Sequence, residues 1–414
     1  MKDRAMQALY WLALDPVAET RGDPNSYGFR SGRSTADAIA QCHNALSRKH
    51  SPKWVLEGDI KGCFDNIGHD WLVGNVPMDR RVLSKWLKAG FVEGHKLFPT
   101  DAGTPQGGIV SPCLANLALD GMEGLLKDSL PRRAKINFIR YADDFVVTGA
   151  SKEVLETQVK PMLVGFLAER GLQLSATKTK ITHVTEGFDF LGWHVRKHKA
   201  FLRIVPSKRN ATTLYAKVRD RLRELRGAKQ DDVVGALNPI LRGWGNYHRV
   251  VHASRPFAKM DYLITRALWR WAVRRHPMKG KRWIKRRYFR ANGSRDWLFQ
   301  TDRFSLVRLA SISVDKHIKV RADANPYDPK DEAYFDERLT RRMRSTLQGR
   351  RRLYWLWDRQ EGLCPVCAAK ITKATGWHVH HVVWRVYGGP DRLSNLQLLH
   401  PTCHVQLHAR ATKG

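Results

Sequence analysis

The 414-residue chain carries 72 Lys and Arg against 39 Asp and Glu, a formal net charge of +33, with 43% hydrophobic and 10% aromatic residues. Such a length exceeds one ordinary hydrophobic core, so two or three folded domains are expected, and the surplus of positive charge goes beyond what solubility requires and asks for a polyanionic partner. No run approaches the roughly 20 apolar residues of a membrane span, and the opening MKDRAMQALYWLALDP lacks a small-residue cleavage site, so a soluble, cytoplasmic protein is expected.

In chain order, the first expected element is a helix from Asp3 to about Leu14. Residues 53–67, KWVLEGDIKGCFDNI, read as a short buried strand running into a turn, and residues 135–149, KINFIRYADDFVVTG, as two strands flanking an acidic tip. From Ser151 to Gly171, Val154, Leu155, Val159, Met162, Leu163, Phe166 and Leu167 line one helical face, Gly171 supplies the stop, and Pro161 predicts a kink or two shorter helices. The first 195 residues are thus an α+β unit. From Val205 to about Arg290 the pattern is helical and basic, with a Gly-rich break expected at LRGWGNYH, residues 241–248. Between Arg196 and Thr301, 28 Lys and Arg stand against 6 Asp and Glu with Trp and Tyr interleaved, a composition suited to phosphate contact and base stacking. Residues 290–350 read as a small domain or an extended connector, and the basic helix RLTRRMRSTLQGRRRLYWLWDRQ then leads into a Cys/His cluster.

Two constellations carry chemistry. Asp143 and Asp144 are adjacent carboxylates between apolar strands, costly to desolvate unless a cation binds them, and Asp59 follows the apolar Trp54, Val55 and Leu56 in the same way. If both strands share one sheet, Asp59 and Asp143 can jointly hold two divalent ions, for which Mg²⁺ suits an all-oxygen donor set. The cysteines divide into scattered Cys42, Cys63 and Cys113 and clustered Cys364, Cys367 and Cys403, which favours metal binding in a reducing compartment over disulfides. Cys364-Pro-Val-Cys367 and His400-Pro-Thr-Cys403 match a closed Cys₃His zinc site. A zinc ribbon has no use for His380, His381, Asn395, His404 and His408, of which the His404/His408 pair falls on one helical face.

The segments SYGFRSGRSTADAI (26–39), EGDIKGCFDNI (57–67), GTPQGGIVSPCLANLALDGME (103–123), FIRYADDFVV (138–147), GLQLSATKTKI (171–181) and FDFLGWHV (188–195) resemble, in order, the polymerase blocks of the reverse transcriptases encoded by mobile group II introns. The resemblance implies a multidomain α+β protein: a right-hand polymerase palm with partial fingers over residues 1–198, an α-helical thumb or maturase domain over 199–290, a DNA-binding connector over 291–349, and a ββα-metal HNH zinc domain over 350–414. Asp59 and Asp143 would ligate two Mg²⁺ ions with Asp144 in support. Phe64 would be the gate against a ribose 2′-hydroxyl, Gln106 would line the nucleotide pocket, Lys178 would approach the triphosphate, and Gly192 and Trp193 would form the primer grip. Plain core packing is the competing reading for Phe64 and Trp193. Within LNPILRGWGNYHR (237–249), which is similar to the family's maturase segment, Arg242, Trp244, Tyr247 and Arg249 are candidates for RNA contact, with Trp244 leaning towards packing.

At the C-terminal end the resemblance implies an HNH nuclease with a structural Zn²⁺ in the knuckles. His381 would be the general base and Asn395 the residue that orients it, while His380, His404 and His408 would bind Mg²⁺ or another divalent ion. The expected partners are intron RNA, target DNA and deoxynucleoside triphosphates. Family members carry a fingers segment ahead of the block that begins here at Met1, so a truncated, polymerase-inactive maturase that folds intron RNA is the alternative expectation.

Overall fold

The computed structural model describes residues 2–93, 96–98, 100–104, 107–199, 201–292, 295–347 and 350–411, and Gln106 lies outside them. The chain divides into two compact units, Met1–Asp323 and Ala324–Gly414.

The first unit opens with helix α1, Lys2–Arg21, longer than the expected helix because Pro16 is accommodated within it, and α2, Thr35–Leu46. Strand β1, Trp54–Asp59, pairs antiparallel with β3, Asp144–Gly149, whose other edge pairs with β2, Asn137–Tyr141; β4, Lys180–His183, takes the free edge of β1, giving the order β2-β3-β1-β4. Val55, Leu56, Phe138, Phe145 and Val147 are buried, as β-branched and aromatic residues in a covered sheet should be. Gly58 is required in β1 because a Cβ there would stand 2.2 Å from the ring of Phe145.

The helix expected over 151–171 is present, and Pro161 has a visible effect. A π-helical turn over Leu155–Val159 precedes the regular helix Lys160–Ala168. Proline cannot donate to the carbonyl four residues back, so the ladder widens by one residue just ahead of it. The adjustment keeps Leu155, Val159, Leu163 and Leu167 fully buried against the sheet. Gly171, at φ +73°, ends the run.

A second, three-stranded sheet follows, with β5 (Phe188–Phe190), β6 (Trp193–His198) and β7 (Phe201–Pro206) in that order. It is tied to α2 by Lys197, whose ammonium donates to the carbonyls of Leu46 and Arg48 (2.8 and 2.6 Å) and to Ser51 Oγ (2.6 Å). A cation at a helix C-terminus is favourable there. Helices α3 (Lys208–Glu224), α4 (Gln230–His248) and α5 (Ser254–Arg275) then pack through Leu214, Val218, Leu222, Val233, Leu237, Leu241, Phe257, Ile264 and Trp271.

The expected break at 241–248 is absent: α4 runs through LRGWGNYH to His248. Each helical glycine costs about 1 kcal/mol, but Gly243 faces open space and Gly245 is where Leu309 and Ile312 approach the helix, a Cβ there lying 2.2 Å from Ile312 Cδ1. Packing on that side offsets the propensity loss. The stretch expected as a connector contributes a hairpin, Phe289–Asn292 with Arg295–Phe299, and its continuation returns to α2, where Asp37 accepts from Val320 N (2.7 Å) and meets His317 Nε2 (2.8 Å).

His248 is fully buried at the end of α4, and burial holds its imidazole down at about pKa 4 from an ordinary 6.5. The unfolded chain therefore binds a proton that the folded chain refuses, and stability falls as pH drops below 6.5 towards 4. Between pH 7.5 and 5 this group should cost about 2 kcal/mol. Denaturant unfolding at both pH values should show that increment in the wild type and lose it in His248→Gln; an identical pH dependence in the two proteins would contradict the assignment.

In the second unit, helices Glu332–Leu347 and Arg351–Arg359 precede a two-stranded sheet, His378–His381 with Leu396–Leu399, and a closing helix, Pro401–Ala411. Its core is small: Met343, Leu347, Leu356, Trp357, Ile371, Leu396, Leu398 and Leu399, with Cys364 and Cys403 buried among them.

Candidate active site and metal centres

The β1/β3 register sets Asp59 across from Asp144, and the β2/β3 register sets Tyr141 across from the same residue, so Ala142 and Asp143 form a two-residue turn at the head of the sheet. Three carboxylates from two segments 84 residues apart in sequence thereby meet at one end of it. Desolvation first, then the Asp143 and Asp59 carboxylates, push Asp144 up to about 6, with Lys178 opposing. Burial contributes the largest part of this, and the two neighbouring carboxylates add to it. Lys178 Nζ donates to both oxygens of Asp59, at 3.1 and 3.0 Å, which places it inside the carboxylate cluster.

The turn is held from behind. Arg140, fully buried, pairs with Asp120, donates to Asn116 Oδ1 (3.1 Å) and reaches the Ala142 carbonyl (3.3 Å). Asn116 in turn donates to the Gly28 carbonyl (2.9 Å). Ala142 sits at φ +57°, a left-handed conformation that costs an alanine roughly 1–2 kcal/mol and persists because these bonds over-determine it. Gly28 lies so close to the turn that a Cβ on it would stand 2.2 Å from Ala142 N.

Phe64 lies on the one-turn helix Cys63–Asn66 just past Asp59, partly buried against the core. Thr104 N donates to its carbonyl (2.6 Å), so the loop that leads to Gln106 is bonded to the Phe64 turn. Phe29, which sequence reasoning passed over, meets Phe64 edge-on at 6.0 Å, is 50% exposed and has φ +57°. A bulky aromatic directly after a glycine in the turn-rich SYGFRSGRS was the available signal. Gly192 (φ +80°) and Leu191 (φ +49°) make the tight β5/β6 turn, and Trp193 begins β6 fully buried.

In the second unit the donor atoms of Cys364, Cys367, His400 and Cys403 lie within 4.8 Å of one another, and those of His380, His404 and His408 form a second such group. The knuckle geometry aims the backbone N–H groups of His400, Val366 and Cys367 at the Cys364 sulfur; although desolvation works against it, they hold that thiol down at about 7. His400 Nδ1 faces Cys367 Sγ (3.3 Å) while its Nε2 meets the Lys370 carbonyl (3.1 Å), a contact that fixes the ring for ligation through Nδ1. His380 comes from a strand and His404 and His408 from one face of the closing helix, and burial together with the neighbouring imidazoles lowers the His380 pKa.

The expected bond from Asn395 to His381 is not among the described contacts. Asn395 instead staples the loop 383–390, accepting from Val383 N (2.7 Å) and donating to the Val383 and Pro390 carbonyls (2.9 and 3.0 Å). The carboxylate beside His381 Nε2 is Asp391 (3.1 Å), itself gripped by Arg352 (2.8 Å).

Family models match the chain as a reverse transcriptase (RNA-dependent DNA polymerase) over residues 1–195, a group II intron maturase-specific domain over 211–289 and an HNH endonuclease over 364–410. Among curated proteins it is similar to an uncharacterized 91 kDa protein in the cob intron of Schizosaccharomyces pombe (27% identity; 64% of this chain, 42% of the relative). It is also similar to the protein YkfC of Escherichia coli (29%; 49% and 63%) and the group II intron-encoded protein LtrA of Lactococcus lactis (28%; 48% and 43%). Successive segments of the chain thus match a reverse transcriptase, a group II intron maturase-specific domain and an HNH endonuclease. The chain spans between 42% and 63% of the length of these three relatives.

The group II maturase segment places its four candidate RNA contacts unequally. Arg242 is exposed on α4. Trp244 is partly buried, its indole N–H donating to Asn210 Oδ1 (2.6 Å) and its ring packed near Phe257. Tyr247 stacks on Trp193, and Arg249 is turned towards Asp315 (2.7 Å) and Ser313 (3.3 Å). No helix among the described residues is long and apolar enough to cross a membrane.

Proposed function

We propose that this intron-encoded protein copies RNA into DNA at the carboxylate turn, grips intron RNA with its basic helical middle as thumb and maturase, and nicks target DNA at its C-terminal imidazole cluster. The observation that carries the polymerase reading is the register that sets Asp59 opposite Asp144 with Asp143 on the adjoining turn. These hard oxygen donors fit two Mg²⁺ ions, which when bound supply activation of a primer 3′-hydroxyl and neutralisation of the departing pyrophosphate. Lys178 brings a compact cation to the place where triphosphate charge accumulates, and Phe64 with Phe29 forms an aromatic wall beside it. The Gly192–Trp193 turn completes the primer end of the site, and the TPQGG motif assigns Gln106 to the nucleotide.

The Cys₃His set fits a structural Zn²⁺. The three imidazoles of His380, His404 and His408 fit a borderline divalent ion better than Mg²⁺, since nitrogen donors are softer than Mg²⁺ prefers; such an ion supplies charge stabilisation at a phosphodiester. His381 accepts a proton from the attacking water, with Asp391 holding the ring and Asn395 holding the loop. His381→Ala should lower strand nicking by about 10²-fold or more with zinc content unchanged; nicking at the wild-type rate would move the base elsewhere.

The deciding experiment supplies the full chain with a primed RNA template, deoxynucleoside triphosphates and Mg²⁺, and the expected product is extended primer. The second reading, an RNA-folding maturase without polymerisation, is favoured by the 28 Lys and Arg against 6 acidic residues between Arg196 and Thr301. It takes over if no primer is extended while RNA binding persists and weakens steeply with salt.

A further inference from the structure

The maturase motif LRGWGNYH and the FDFLGW turn lie about 50 residues apart in sequence, yet one side chain joins them. Tyr247 on α4 lies flat against Trp193, with ring centroids 4.5 Å apart and planes 8° from parallel, and its hydroxyl donates to the Leu191 carbonyl at 2.8 Å. Both residues of the turn it caps, Leu191 and Gly192, are left-handed, at φ +49° and +80°. Leucine does not hold that conformation without outside support. More support comes from Asn210 of α3: a Cβ on Gly192 would meet its Nδ2 at 2.9 Å and Tyr247 Cε1 at 3.9 Å. Asn210 is itself held by Trp244 Nε1 (2.6 Å) and His248 Nε2 (3.0 Å). Trp244 and His248 thus hold Asn210 behind the turn, while Tyr247 of the same helix holds the turn itself.

Tyr247 remains 38% exposed, and its phenol is pushed up first by partial burial and then by the Tyr141 phenol, with a hydrogen bond to Thr35 opposing. Hydroxyl and stacked face each tie α4 to the β5/β6 turn, and neither requires RNA.

We propose that Tyr247 is a positioning residue for polymerisation: by pinning the Leu191–Gly192 turn and stacking on Trp193, the maturase helix sets where a primer terminus rests relative to the carboxylates. This rests on the polymerase reading above. It gives the aromatic residues of LRGWGNYH a task distinct from intron recognition, which falls to exposed cations such as Arg242.

The test is single-nucleotide incorporation on a primed RNA template by the full chain as wild type, Tyr247→Phe and Tyr247→Ala, with folded-RNA affinity measured for each at one salt concentration. Misplacement of a reacting end by about 1 Å costs on the order of 10²-fold, so Tyr247→Ala should lower kcat about tenfold or more. Its KM for the nucleotide and its RNA affinity should stay near wild type. Tyr247→Phe keeps the stack and loses the hydroxyl bond, and should fall between the two. Wild-type kcat in Tyr247→Ala overturns the proposal, as does a loss of RNA affinity equal to the loss of rate, which would make Tyr247 an RNA contact. If Tyr247→Ala melts early, Tyr247→Phe decides alone: a reduced kcat with an unchanged melting temperature supports the proposal, and an unchanged kcat overturns it. A wild-type chain that extends no primer overturns the polymerase reading and this inference together, an outcome distinct from an active wild type with an active alanine variant.

Discussion

Asp143→Ala should reduce nucleotide incorporation by on the order of 10³-fold or more, because it removes a carboxylate whose only evident work is to hold a cation at the reacting atoms. Asp143 sits in a two-residue turn outside the apolar core, so its loss opens no cavity. The turn itself is shaped by backbone and Arg140 contacts that do not involve the Asp143 side chain. Removing it also relieves Asp144, whose proton affinity is raised in part by Asp143, so the variant should be no less stable than the wild type. The proposed RNA grip lies in the basic helices, so RNA affinity should be preserved. Primer extension and RNA binding measured on the same preparation check both halves. Equal extension by the variant would remove the polymerase assignment, and a parallel fall in RNA binding would mean the fold had been damaged instead.

The second large effect is expected from Cys364→Ser combined with Cys367→Ser. The unit Ala324–Gly414 has few fully buried apolar residues, and two of its core positions are cysteines. A domain of this size with so small a core relies on a staple, and a structural zinc site is worth on the order of 10 kcal/mol of apparent folding free energy. The double variant of the full chain should lose its tightly held zinc, and amide protection and protease resistance should collapse over residues 351–411. Residues 2–323, with their own cores, should stay protected. Nicking should vanish with the fold, since His380 and His404 are placed by the strand and helix that the knuckle closes. Retention of protection in the C-terminal unit would contradict the knuckle as its staple.

The carboxylate site was legible because its signal is local and chemically extreme: acidic residues set into apolar strands have few explanations. What could not be read was the apparatus that holds it. Arg140 in NFIRYADDF is a charge in a buried strand, but its partners Asn116 and Asp120 come from a helix some 20 residues earlier, and nothing in the spacing pairs them. The break expected at LRGWGNYH failed for a related reason. Glycine is read by its intrinsic cost, while the compensating approach of Leu309 and Ile312 comes from 60 residues downstream. Asn395 and Asp391 show the same limit at shorter range. Spacing brings both near His381, and only the loop geometry decides that the amide satisfies backbone groups while the carboxylate touches the ring.

Gly28 has a consequence of its own. With Ala142 N only 2.2 Å from where a methyl carbon would be, neither backbone can retreat without breaking the Tyr27 N–Arg140 O and Arg140 N–Asn25 O bonds beside it. Position 28 therefore acts as a height gauge: the smallest possible residue lets the acidic turn settle to the level of β1, and any larger one would jack it upward. The placement of the carboxylates and the exclusion of bulk are one constraint at this point in the chain, although the residue concerned has no functional group at all.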